Sequence, residues 1–449
     1  MWEVGLGILV LVALGMDLWW LYQSAPWALA LLVALPFVAL LAWDIRRHED
    51  YVAGDKEQSL HLSLLNPLMK LIRSARDTRV FLAPYATALV MLALAACGPA
   101  APATPQATAT LPEATRAPES FPLSEPGPYH VGKRTLEFVD ASRGDRQVRV
   151  TVWYPAALPE GSNSTPLQAG GDLAPDLSGA PYPLLLSSTK TAGVFAPCLI
   201  SHGFTWASID RIDAYRKMNE RMIEHPRDIL FVLGQMAANP PEGLEGMIDA
   251  GHAGSIGYSF DGYNALALSG TRIDSNYYLA QCPTPDATTE AVLSDLSAFD
   301  CAPAGAWDAF AAHAGEAITA GEDGLWQPMT DARIRAVMPL AAEGWWLFGA
   351  RGLAAVDRPT LMLAATEDEL YPENVLIFDH LGTPDKALIS FIGRDHGMIE
   401  DEQATARMAH FAVAFFGYHL QGRADLAGYF SEDFVAQYDD LAWGAYPGK

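Results

Sequence analysis

The chain is short of cysteine, short of positive charge, and short of charge altogether. Four cysteines in 449 residues are too few for a disulfide scaffold. None forms a CxxC pair, which argues against a structural zinc site. Lys and Arg number 29 against 53 Asp and Glu, a net charge of −24. So acidic a surface repels phosphate backbones and excludes nucleic acid as the expected partner. Charged residues are only 18% and apolar residues 50% of the chain, where an ordinary soluble domain holds roughly 25% charged. That mixture fits a soluble domain with membrane segments attached, and it excludes a wholly disordered or collagen-like chain.

The apolar residues are unevenly spread. Val4 to Tyr22 is apolar except for Asp17 and ends in Trp19, Trp20 and Tyr22, and Pro26 to Trp43 carries no charge. Each run is near the roughly 20 residues that a helix needs to cross a bilayer, and the terminal aromatics suit the membrane interface. A third uncharged run, Val80 to Cys97, follows a stretch holding Arg46, Arg47, Lys56, Lys70, Arg73, Arg76 and Arg79. Positive charge marks the cytoplasmic side, so everything after Cys97 is expected outside. The run ends Leu94-Ala95-Ala96-Cys97, which resembles a bacterial lipoprotein signal and implies lipidation of Cys97. Counted from Met69, it has the basic start, apolar middle and small-residue site of a secretory signal. Two readings stand: three spanning helices over about 4–22, 26–43 and 80–97, or a lipoprotein that starts near Met69. Gly98 to Pro128 holds 8 Pro, 7 Ala and 4 Thr in 31 residues and is expected to be an extended linker.

From Tyr129 to about residue 425 the pattern is that of alternating strands and helices, with a tail over 426–449. Strands are expected at Thr135 to Val139, Gln147 to Tyr154, Ala196 to Ser201, Gly254 to Tyr258, Ile334 to Leu340, Thr360 to Ala365 and Ala387 to Ile392. Helices are expected at Arg227 to Ala238, Phe260 to Leu268 and Glu402 to Leu420, the last with Ala404, Met408, Phe411, Phe415 and Tyr418 at helical spacing. Near-continuous apolar strands between helices predict an α/β fold with a mostly parallel sheet covered on both faces. Catalytic residues should then gather at the carboxyl ends of the strands.

Gly257-Tyr258-Ser259-Phe260-Asp261-Gly262 reads as strand, sharp turn, helix, with a serine at the turn. A nucleophile elbow needs small neighbours there so that strand and helix can approach; here Asp261 occupies the usual second glycine position, and Gly262 follows. Asp368 ends the Thr360 strand and His396 follows the last parallel strand. The chain order Ser259, Asp368, His396 is that of the α/β-hydrolase triad and not of the chymotrypsin or subtilisin types. Glu343 and Glu367 are reserve acids, while Asp395 is too close in sequence to the base to orient it. The backbone N–H groups of Phe204, after Ser201-His202-Gly203, and of Phe260 are the expected oxyanion donors. His202 itself reads as a histidine held in a turn.

With these pieces in place, residues 129–425 resemble the platelet-activating factor acetylhydrolase family and its dienelactone hydrolase-like bacterial relatives. The resemblance is carried by Asp140-Ala141-Ser142-Arg143, Val152-Trp153-Tyr154-Pro155, Ser201-His202-Gly203-Phe204, Arg227-Asp228, the elbow, Thr366-Glu367-Asp368 and Asp395-His396-Gly397. It implies an α/β-hydrolase fold and calcium-independent serine hydrolysis of esters, often short acyl groups on lipid-like alcohols, with no metal or organic cofactor. The chain departs from the family at Tyr258 and Asp261, where relatives read G-H-S-F-G-G. It departs again between the S-H-G segment and the Arg227 helix, where only Thr205 to Pro226 stands in for a helix and an apolar strand. A central strand is therefore expected to be missing, and a non-catalytic, hydrolase-like surface lipoprotein that binds lipids or partners is the alternative reading. Trp206, Trp345, Trp346 and Phe348 are expected either to line an acyl or leaving-group pocket or to pack under loops. Cys282 and Cys301, in an oxidising compartment, are expected to pair, and Cys198 is expected to be a buried thiol in a strand.

Overall fold

The computed structural model describes residues 121–158, 168, 170–210, 218–287 and 300–447. The three apolar runs, Cys97 and the linker up to residue 120 lie outside the described residues. Among the described residues no helix is long and apolar enough to cross a membrane.

The strands are β1 (His130–Asp140), β2 (Arg146–Ala156), β3 (Tyr182–Ser188), β4 (Thr205–Ile209), β5 (Ile248–Tyr258), β6 (Ile334–Leu340), β7 (Thr360–Ala365), β8 (Lys386–Phe391) and β9 (Leu441–Trp443). They form one sheet among the described residues, in the order β1-β2-β4-β3-β5-β6-β7-β8-β9. β4, β3, β5, β6, β7 and β8 run parallel, and the edges at β1–β2–β4 and β8–β9 are antiparallel. The helices are α1 (Thr189–Ser201), α2 (Arg221–Ala238), α3 (Phe260–Leu268), α4 (Ser275–Gln281), α5 (Trp307–Ala314), α6 (Glu316–Thr319), α7 (Trp345–Leu353), α8 (Tyr371–His380), α9 (Glu402–Gln421) and α10 (Glu432–Val435). α1 and α9 pack on one sheet face through Leu185, Ile256, Met338 and Leu363. α2, α3, α7 and α8 pack on the other, through Leu184, Leu186, Val337, Met362 and Ala364. Neighbouring residues of one strand thus serve opposite layers, which is why the parallel strands are apolar throughout. The class is α/β with a mostly parallel sheet.

Two expectations are corrected here. Ala196 to Ser201 is not a strand but the last part of α1. Ala192, Phe195, Ala196, Leu199 and Ile200 are buried while Gly193 and Val194 face outward, the period of a helix with one face on the core. A short apolar run fits strand and helix alike. Cys198 therefore lies in a helix; it is buried as expected, and burial pushes its thiol up to about 12. The second correction follows from the first. No central strand is missing, because Tyr182–Ser188 is the strand that precedes α1, and Thr205–Ile209 is the one that follows it.

The body also extends beyond the expected bounds. Phe121, at the end of the linker, packs edge-on against His410 and Phe411 of α9, and the Leu123 amide donates to His410 Nδ1 at 3.1 Å. At the other end, the residues expected to form a tail supply β9 and α10. Cys282 and Cys301 form a disulfide, as expected.

The Asp140–Arg143 and Arg227–Asp228 motifs turn out to be one structural joint. Asp228 is fully buried on α2. Arg146 grips it with two hydrogen bonds of 2.8 Å, and Arg143 Nη1 lies 2.7 Å from the same carboxylate. Cutting out the acid would leave Arg143 with Asp140 alone and Arg146 with Glu224 alone. Asp228→Ala should lower unfolding stability by roughly 2–3 kcal/mol, less than for a buried charge left wholly unpaired, read from the denaturant midpoint; a loss below about 1 kcal/mol, the worth of an exposed pair, would show that the joint is solvated.

Candidate active site

β5 ends at Tyr258, and Ser259 makes the turn into α3 with φ 61° and ψ −123°. A side chain other than glycine rarely adopts such a backbone, which costs about 1–3 kcal/mol and is characteristic of functional turns. The small neighbours are needed sterically. A Cβ on Gly257 would come within 1.9 Å of the Asp261 carbonyl oxygen, and one on Gly262 within 2.9 Å of Ala342 Cβ. The second close approach thus falls on Gly262, one residue later than the usual glycine, which leaves position 261 open to a side chain.

Three strand ends deliver the expected trio to one point. His396, past β8, places Nε2 3.0 Å from Ser259 Oγ and Nδ1 2.7 Å from Asp368 Oδ2. Asp368, past β7, has a side chain only 1% exposed and accepts the Leu370 N–H on Oδ1 at 2.9 Å. Its second oxygen is thereby left to the imidazole. The His396 side chain is 38% exposed, so the site opens to solvent at the imidazole. Glu367 is exposed. Asp395 instead caps the following turn, accepting the Gly397 N–H at 2.8 Å. Both departures at the elbow have roles. The Tyr258 hydroxyl donates to the His396 carbonyl at 2.5 Å, and its ring lies 5.4 Å from the imidazole. Tyr258 thus ties the end of β5 to the loop that carries His396.

Asp261 is fully buried, and burial pushes its carboxyl upward. It accepts from the Ser188 N–H at 3.0 and 3.1 Å, Thr191 Oγ1 at 2.7 Å and Asn264 Nδ2 at 3.1 Å. Thr191 Oγ1 in turn accepts the Tyr258 N–H at 3.1 Å. Asp261 therefore clamps the β3–α1 junction to the elbow. Ser188, Thr191 and this clamp escaped the sequence reading, although the polar Ser187-Ser188-Thr189-Lys190-Thr191 string after Leu184 to Leu186 marks a strand end as clearly as the others do.

Phe260 sits next to Ser259 as the first residue of α3, where an elbow amide is expected. Phe204 does not. It precedes β4, whose Thr205 lies level with Leu184 of β3 and so with Ala253 of β5. Ser259 is six residues further along, about 20 Å at roughly 3.3 Å per residue. His202 and Gly203 instead line a cavity of about 800 Å³ at the amino ends of the strands. His202 is held in its turn as expected, with Nε2 2.9 Å from the Glu125 carbonyl.

The four aromatics are packed. Trp206 is fully buried on β4, where it donates to Ser187 Oγ at 2.8 Å. Trp346 and Phe348 are also fully buried, and Phe348 stacks on Tyr263 of the elbow helix at 5.2 Å. Trp345, 8% exposed, starts α7 beside the site. The loop ahead of it is pinned from α8. Glu373 accepts the Gly344 and Trp345 N–H groups at 2.7 and 2.8 Å, and Asn374 bonds both N–H and C=O of Ala342 at 3.0 Å. Compared with models of known protein families and with characterised proteins, the chain matches none. Among the described residues no group of His, Cys, Asp and Glu is arranged to hold a metal ion.

Proposed function

We propose that the chain is a membrane-tethered serine esterase of the α/β-hydrolase fold, with its catalytic domain extracytoplasmic. The single observation that carries the reading is the hydrogen-bonded line Ser259–His396–Asp368 at an elbow of φ 61°. In this reading His396 Nε2 takes the proton of Ser259 Oγ as the oxygen attacks an ester carbonyl. The tetrahedral oxyanion is held by backbone N–H groups, and the protonated imidazole returns its proton to the leaving alcohol. Water repeats the sequence on the acyl-enzyme. Asp368 fixes the tautomer that keeps Nε2 free to accept. The Phe260 amide serves as one oxyanion donor, and the β3–α1 junction at Thr189, held against the elbow by Asp261, supplies the second in place of Phe204. No metal or organic cofactor enters the scheme. The substrate class is a small or lipid-like carboxylic ester, as the resemblance implies. The non-catalytic alternative draws no support from a missing strand, because β3 and β4 are both in place.

The test is labelling of the full chain in intact cells with a membrane-impermeant fluorophosphonate, followed by location of the adduct. The expected result is modification of Ser259 without lysis. Labelling only after lysis would refute the extracytoplasmic placement, and no labelling in either sample would refute the activated serine.

A further inference from the structure

The loop between β6 and α7 holds one acidic group with nothing to bond. Glu343 is 6% exposed, and its carboxyl has no hydrogen-bond partner among the described residues. Its neighbours in the chain, by contrast, are tightly fixed. The Leu340 carbonyl accepts the Ser259 N–H at 2.9 Å, Ala342 lies against Gly262 of the elbow helix, and the backbone on either side is pinned by Asn374 and Glu373. Ala341, a residue with a side chain, is held at φ 43°. The carboxyl is thus free to bond a ligand, and the strained loop that carries it is braced against the turn at Ser259.

Resting on the esterase reading above, we infer that Glu343 is a specificity-determining residue whose carboxyl hydrogen-bonds an oxygen of the substrate, favouring esters that carry an acceptor a few atoms from the scissile carbonyl over plain alkyl esters. To donate to such an oxygen the carboxyl must keep its proton, and its surroundings push in that direction. Burial pushes it well above the usual carboxylate range, and the acids facing it, Glu373 from α8, Asp300 and Asp368, push the same way. Burial pushes Glu373 up to about 7 and Asp300 up to about 8. From α3 it is faced by Tyr263, whose hydroxyl donates instead to the Met222 carbonyl at 3.0 Å. Among the described residues no lysine or arginine is one of these neighbours. A carboxylic acid kept neutral by an apolar, acidic site is a known way to place a hydrogen-bond donor at a reacting centre.

The experiment compares two isosteric pairs with the full-length enzyme: nitrophenyl 3-methoxypropanoate against nitrophenyl pentanoate, and 2-methoxyethyl acetate against butyl acetate. The readout is the ratio of kcat/KM within each pair, normalised to alkaline hydrolysis of the same esters. At least one pair should favour the ether by about 5- to 100-fold, the worth of one buried hydrogen bond. Glu343→Leu should erase that preference, Glu343→Gln, which keeps a neutral donor, should retain most of it, and raising the pH should weaken it in the wild type alone. A role in packing only would leave the ratio and its pH dependence unmoved. Equal normalised ratios in both pairs, or a preference that survives Glu343→Leu, overturn the inference. Fluorophosphonate labelling of the same preparations separates this outcome from failure of the esterase reading, since the label reports Ser259 whatever the substrate preference.

Discussion

Ser259→Ala is expected to abolish hydrolysis of a short-chain nitrophenyl ester while leaving the fold intact. Losing a triad nucleophile costs several powers of ten in turnover, and what remains comes from substrate binding and the oxyanion donors. The fold should survive because Ser259 Oγ bonds the His396 imidazole and not the braces of the elbow. The Ser259 N–H to the Leu340 carbonyl and the Tyr263 N–H to the Ser259 carbonyl are backbone bonds that alanine keeps. Thermal unfolding followed by circular dichroism should therefore move little while turnover collapses. Turnover within about tenfold of wild type would sink Ser259 as the nucleophile, given the size of the loss expected.

The hydrogen-bonded line of Ser259, His396 and Asp368 was legible because each member follows its own apolar run. β6 and β7 were legible to the residue for the same reason: Ile334–Leu340 and Thr360–Ala365 are short and mostly apolar, and an acid follows each within three residues. The same rule misassigned the Ala196 run. Its first turns, with Ala192 and Phe195 at helical spacing, lie ahead of the segment that looks like a strand. That error carried Phe204 with it, since a loop after a strand and a loop before one sit at opposite ends of a parallel sheet. The Asp261 clamp could not be read at all. Its partners, Ser188 and Thr191, lie 73 and 70 residues away in sequence, and only the packing of β3 beside β5 brings them together. A residue that looks like erosion of the elbow motif supplies, in three dimensions, the bonds that hold the β3–α1 junction to the turn at Ser259.

Asp368→Asn should lower turnover by up to roughly 10⁴-fold, and Glu343→Gln by far less. Both acids stand at the carboxyl ends of neighbouring strands, β7 and β6, so position alone does not separate them. Contact does: Asp368 Oδ2 lies 2.7 Å from His396 Nδ1, and Asp368 Oδ1 is occupied by the Leu370 N–H. A carboxylate there can only accept, so Nδ1 carries the proton and Nε2 faces Ser259 with its lone pair. An asparagine amide in the same place can donate its N–H to Nδ1. The proton would then sit on Nε2, pointing at Ser259 Oγ, where it blocks the transfer that starts the reaction; the charge that stabilises the imidazolium is lost as well. Glu343 bonds neither nitrogen of the His396 imidazole, and its replacement by glutamine preserves the shape of the group. Side-by-side turnover of the two variants on a plain nitrophenyl ester decides the matter: a larger loss for Glu343→Gln would transfer the acid's role from the end of β7 to the end of β6.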